Sequence, residues 1–295
     1  IEMKNFTGTG VALITPFTEQ GNIDVEGLRH IVSYIIEGGV DFLVALGTTA
    51  ETPTLTDEER AQVVEIITSE NAGRLPVMVG IGGNCTQTIV RELQTLPWLK
   101  KCDAVLSVTP YYNKPSQQGM YEHFKAIAEN SPLPVCLYNV PGRTGVNLSG
   151  ATTVRLANDC PNVMAIKEAS GNFEQATEIL KGKRRDFIAF SGDDCVVLPL
   201  MSMGFEGVIS VLANVLPREC SQLVSHVKRG EYAEARELHL RLSEMCRALF
   251  AEGNPAGIKA ALQAKGVIKH EVLRLPLIPV SRELYGNIRQ LLQQF

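Results

Sequence analysis

The chain has 295 residues, 45% hydrophobic and 20% charged, and its 28 basic and 32 acidic side chains leave a net charge of −4. That balance excludes a basic field for nucleic acid or an anionic membrane surface, and the sequence holds no apolar run of membrane-spanning length and no signal peptide. Seven cysteines without a CxxC pair point to free, mostly buried thiols in a reducing cytoplasm, and five dispersed histidines without HxH or HxxxH speak against a zinc site.

At the start, Ile1-Glu2 ahead of Met3 reads as a remnant of processing and is set aside. Short β-rich apolar runs then follow at Gly10–Ile14, Val40–Leu46, Pro76–Ile81, Asp103–Val108, Pro134–Tyr138, Val163–Lys167, Phe187–Ser191 and Gly207–Val211. Amphipathic helical patterns fill the gaps, and Thr56-Asp57-Glu58-Glu59 is a capping box opening one of them. Strands alternating with helices imply parallel pairing and right-handed crossovers. Eight such units predict an α/β fold, a closed (β/α)₈ TIM barrel, over residues 1–225. After Val211 the strand signal stops. Helical periodicity at Arg218–Arg229, Tyr232–Ala251, Pro255–Lys265 and Ser281–Gln294 predicts a C-terminal helical region, 226–295, packed on the barrel without a flexible linker.

In such a barrel the active groups gather at the carboxyl ends of the strands. Those ends carry Gly47-Thr48-Thr49-Ala50-Glu51, Thr109-Pro110-Tyr111-Tyr112-Asn113, Tyr138-Asn139-Val140-Pro141-Gly142-Arg143, Lys167-Glu168 and Ser191-Gly192-Asp193-Asp194. Each has a plain structural alternative: turn chemistry, amphipathic packing, or for the two aspartates a helix N-cap. Gly80-Ile81-Gly82-Gly83-Asn84-Cys85 has a cysteine where GxGxxG needs its last glycine, and no Walker A occurs, so nucleotide binding is not supported.

Taken together the strand ends describe a Schiff-base site. A lysine ending a packed apolar strand, Lys167, is a candidate nucleophile for a carbonyl, since desolvation disfavours an ammonium. Imine formation moves protons, and Tyr138, Thr48 and Tyr112 supply hydroxyls that both donate and accept. Arg143 offers a planar fork for a substrate carboxylate, and the Gly47-Thr48-Thr49 amides offer donors for a second.

The Val108–Pro115 run with its paired tyrosines, the Gly-Thr-Thr turn, the lysine strand and Arg143 within Tyr-Asn-Val-Pro-Gly-Arg-Thr-Gly resemble the dihydrodipicolinate synthase family of pyruvate-dependent class I aldolases. The resemblance runs from Gly10–Phe17 to Leu273–Pro276. It implies condensation of pyruvate with L-aspartate-4-semialdehyde in the diaminopimelate route to lysine, with no metal or organic cofactor. Lys167 would form the imine, Tyr138 would transfer protons, and Thr48 would connect Tyr138 to Tyr112 of a neighbouring subunit. Thr49, Gly192 and Ile209 would hold pyruvate, and Arg143 the semialdehyde carboxylate. A homo-oligomer follows: a tight dimer sharing Tyr112, commonly a dimer of dimers.

Two departures stand out. Ala50 replaces the glycine usual after Gly-Thr-Thr, which adds a methyl to the turn and leaves the chemistry intact. In the region where relatives bind inhibitory lysine, Asn84 and Tyr111 are retained, but Asp57, Arg60 and Thr88 stand where lysine-sensitive members carry histidines and a glutamate. The resemblance therefore implies a degenerate lysine site and weak or absent inhibition. The alternatives are a sugar-acid lyase on the same scaffold and a catalytically silent ligand-binding barrel.

Overall fold

In the computed structural model, which describes residues 6–295, the strands close on themselves in sequence order. They are β1 (Gly8–Ala12), β2 (Phe42–Ala45), β3 (Val77–Gly80), β4 (Ala104–Val108), β5 (Val135–Asn139), β6 (Val163–Glu168), β7 (Ile188–Ser191) and β8 (Gly207–Ser210). Every pairing is parallel, and β8 returns to β1. This is the TIM barrel expected; the reading of Ile1-Glu2-Met3 lies outside the described residues. The helices are α1 (Val25–Glu37), α2 (Asp57–Asn71), α3 (Thr86–Thr95), α4 (Gln117–Asn130), α5 (Pro141–Thr144), α6 (Gly150–Asp159), α7 (Phe173–Gly182), α8 (Val197–Met203), α9 (Pro217–Lys228), α10 (Tyr232–Phe250), α11 (Ala256–Ala264) and α12 (Arg282–Leu292). The last of these form the expected C-terminal helices: α10 packs on α9, and α12 on α10 and α11.

Local chemistry explains where the elements begin and end. The Thr56 hydroxyl accepts from the Glu59 amide at 3.2 Å, and the Glu59 carboxylate accepts from the Thr56 amide at 2.9 Å, so the capping box opens α2. Leu46 turns left-handed (φ 53°), which stops β2 at Ala45, one residue short of the apolar run. The Ile14 amide is taken by the Asn214 side chain at 3.2 Å, so β1 ends before that residue.

Alternate strand residues face two apolar layers. Ala12, Phe42, Val44, Met78, Cys136, Met164, Phe190 and Ile209 fill the barrel, and the Phe42 and Phe190 ring centroids lie 5.3 Å apart. The opposite faces pack against the helices. At Gly80 a Cβ would stand 2.0 Å from the Leu46 carbonyl oxygen; only a glycine lets the end of β3 pass so close to the turn after β2.

The register between β5 and β6 positions the site. Val135 pairs with Val163, but Cys136 pairs with Ala165, so β6 carries one extra residue there. Downstream of this bulge Tyr138 stands beside Lys167, and Asn139 beside Glu168. Without it Tyr138 would neighbour Ile166, and the lysine would lie one step out of register.

Candidate active site

Lys167, next to last in β6, is buried, and its Nζ lies 4.1 Å from the centroid of the Tyr138 ring. A ring face stabilises positive charge, and a protonated imine on this nitrogen is a cation as much as the ammonium it replaces. Gly192 closes in on the stem of the lysine: a Cβ there would be 3.1 Å from Lys167 Cγ and 2.8 Å from Ala169 Cβ. Ile209 is buried in the barrel interior with Tyr138.

The Gly-Thr-Thr turn forms a short 3₁₀ helix, Thr48–Ala50, bracketed by left-handed Leu46 (φ 53°) and Glu51 (φ 56°). The strained position therefore falls on Glu51 and not on Ala50, whose methyl is accommodated in the core. Thr49 is buried, and its hydroxyl accepts from Asn254 Nδ2 at 3.0 Å. Arg143, exposed on α5, donates through Nη2 to the Asn254 carbonyl at 3.3 Å. The two residues assigned to carboxylates thus meet on one asparagine.

Thr48, Tyr138, Arg143, Tyr111 and Asn254 line one cavity of about 520 Å³, which runs on to Asp57, Arg60 and Glu92 and is bordered by Pro276 and Leu277. Tyr112 lies outside it, 89% exposed and held left-handed (φ 74°). Within the single chain its hydroxyl does not join Thr48 and Tyr138 around the cavity.

In the expected lysine-site region, Asn84 Nδ2 donates to the Tyr111 carbonyl at 3.1 Å, and Thr88 is exposed on α3. Arg60 Nη1 donates to Glu92 at 2.9 Å and to Asp57 at 3.2 Å. Its charge is therefore answered by two carboxylates, one of which, Glu92, the sequence reading passed over.

Behind the lysine, the buried Glu168 carboxylate accepts from Asn139 Nδ2 (3.2 Å), the Ser170 amide (2.7 Å) and Gln175 Nε2 (3.0 Å). This network ties the outer faces of β5 and β6 to α7. The aspartate pair divides its work: Asp193 accepts from the Cys195 amide at 2.8 Å, the cap role anticipated. Asp194, its carboxyl pushed up by burial, accepts from Ser210 and from the Val211 and Leu212 amides after β8. Among the described residues no group of three His, Cys, Asp or Glu is arranged to hold a metal.

Asn254 escaped the sequence reading because it belongs to the C-terminal region and not to a strand end. The only available signal was a short amide immediately before Pro255 at the start of a helical pattern.

The dihydrodipicolinate synthetase family model matches residues 5–295. The 4-hydroxy-tetrahydrodipicolinate synthase of Parabacteroides distasonis is 49% identical over 98% of this chain and 97% of its own. Among solved structures, the dihydrodipicolinate synthase of Thermotoga maritima superposes with a TM-score of 0.94 at 40% identity, covering 98% of both chains. The chloride-inhibited dihydrodipicolinate synthase of Acinetobacter baumannii, solved with pyruvate, gives 0.93 at 38% identity, again over 98% of both.

Proposed function

Because this chain belongs to the dihydrodipicolinate synthetase family, we propose that it joins pyruvate to L-aspartate-4-semialdehyde through an imine on Lys167. Its activity is that of a 4-hydroxy-tetrahydrodipicolinate synthase, a lyase of diaminopimelate and lysine biosynthesis. The observation that carries the residue assignment is the β5–β6 bulge, which brings a buried lysine and a buried tyrosine together at the carboxyl end of the barrel.

The neutral Lys167 amine adds to the keto carbon of pyruvate, and loss of water gives the imine. Removal of a C3 proton yields the enamine, whose carbon adds to the semialdehyde aldehyde. The substrate's own amine then displaces the lysine and closes the ring. Tyr138 carries these protons, and Thr48 lines the same cavity. Thr49 and the turn amides hold the pyruvate carboxylate, Gly192 and Ile209 wall the pocket, and Arg143 at the mouth takes the carboxylate of the semialdehyde.

Tyr112 completes the relay from a neighbouring subunit in a tight dimer, itself half of a dimer of dimers. Its exposure and left-handed backbone support that reading: a tyrosine held outward at a conformational cost is one that something else uses. Lysine inhibition is weak or absent, since Arg60 with its carboxylates replaces the groups a lysine ligand needs. The chain acts in the cytoplasm; its free cysteines fit a reducing compartment, and among the described residues no helix is long and apolar enough to cross a membrane.

The test is condensation itself. Pyruvate and aspartate semialdehyde should be consumed together with formation of the cyclic product, while N-acetylneuraminate should not be cleaved. Cleavage of a sugar acid without condensation would overturn the assignment.

A further inference from the structure

The turn that presents Thr48 and Thr49 is strained at both ends, and such conformations persist only where their surroundings over-determine them. The surroundings here come from the C-terminal region. Glu51, the left-handed residue closing the turn, is completely buried, and its Oε1 lies 2.5 Å from Nζ of an equally buried Lys259 on α11. Its Oε2 accepts from the Arg274 amide at 3.0 Å. Lys259 Nζ also donates to the Val272 carbonyl at 2.9 Å and sits 4.1 Å from the Phe17 ring centroid. Arg274 in turn grips the chain just beyond the turn, donating to Glu59 at 2.6 Å and to the Thr54 carbonyl at 2.8 Å.

A buried ion pair is a poor source of stability, because desolvating both charges offsets most of their attraction and an apolar pair of the same volume often does as well. What it supplies is direction. The carboxylate of Glu51 can sit in one place only, and the backbone of Thr48 and Thr49 follows from it. The mechanism makes no use of Lys259: its side chain is fully buried and does not line the cavity.

We propose that Lys259 is a positioning residue for the pyruvate site, holding the strained Thr48–Thr49 turn in place through Glu51. The inference rests on the pyruvate reading above and makes α11 a structural part of the active site. Burial lowers the Lys259 ammonium to about 8, and Glu51 holds it up against that, so the ion pair is present at neutral pH.

The test compares Glu51→Gln/Lys259→Met, which removes both charges together, with Val224→Ala, a truncation of a buried α9 residue outside the cavity lining. Each is titrated with pyruvate under borohydride, and melting temperatures are recorded. The pyruvate concentration for half-maximal trapping should rise by about tenfold or more in the double variant, because sub-ångström misplacement of binding groups has effects of that order. Val224→Ala should leave it unchanged although the truncation lowers the melting temperature. Glu51→Asp, which keeps both charges and shortens the reach by one methylene, should shift it in the same direction. Wild-type pyruvate dependence in the double variant and in Glu51→Asp would overturn the proposal, as would an equal shift in Val224→Ala. If the wild-type chain trapped no pyruvate, the functional reading would fail and take this inference with it.

Discussion

Replacing Gly192 by alanine puts a methyl where the lysine stem already lies. The added carbon would stand 2.8 Å from Ala169 Cβ, 3.1 Å from Lys167 Cγ and 3.2 Å from the Glu168 carbonyl oxygen. Carbon pairs settle at about 3.5–4.0 Å, so the overlap is roughly 0.7 Å with Ala169 and roughly 0.4 Å with the lysine. Ala169 follows directly on β6 and is hydrogen-bonded to Asn139, so it has little room to retreat. The softer neighbour is Lys167, and its side chain moves. Overpacking of this kind costs about 1–3 kcal/mol, which lowers the melting temperature of a chain this size by about 2–6 °C. Catalysis suffers on a similar scale, because a displaced nucleophile loses its approach to the keto carbon, about 10- to 100-fold in the rate of imine formation. Stopped-time borohydride trapping with saturating pyruvate, read by intact mass, measures that rate. Wild-type trapping by a folded Gly192→Ala variant would refute the packing argument.

Three further outcomes follow from the same geometry. Tyr112→Phe should lower turnover about 100-fold or more while the protein stays folded, because a general acid–base hydroxyl contributes about 10²–10⁴-fold and the substitution keeps the ring; unchanged turnover would break the relay. Added L-lysine should inhibit only above the low-millimolar range, and a midpoint within it would show that Arg60, Glu92 and Asp57 leave room for the ligand. His123, buried on α4 with Nδ1 2.8 Å from the Thr86 hydroxyl, is lowered by desolvation to about 4. Its unfolded form binds the proton first, so its stabilisation is complete above about pH 6.5 and is lost as pH falls toward 4, roughly 3 kcal/mol in all. His123→Gln should flatten that part of the acid denaturation profile, and a profile identical to wild type would exclude the histidine as its source.

The alternation of apolar runs and helical patterns made the barrel legible, because parallel strands buried on both faces read as short continuous hydrophobic stretches. Strand-end chemistry then pointed to Lys167, Tyr138, Thr48 and Arg143 without knowledge of their distances. The bulge between β5 and β6 was not legible. An extra residue in a buried run leaves no mark on composition, yet it decides whether Lys167 or Ile166 faces Tyr138. Asn254 was missed for a different reason: its partners Thr49 and Arg143 are more than a hundred residues away, and only closure of the C-terminal helices onto the barrel rim brings them together. Likewise the sequence displays the charge of Arg60 but not its partner Glu92, which reaches it from the neighbouring helix.

If Lys167 is the nucleophile, pyruvate can be fixed to it covalently by reduction of the imine. The protein is incubated with pyruvate, reduced with borohydride, digested and mapped by mass. A pyruvate-derived adduct on the peptide carrying Lys167, absent from a folded Lys167→Ala variant, is the predicted result. An adduct on another lysine, or none on the folded wild-type chain, would contradict it.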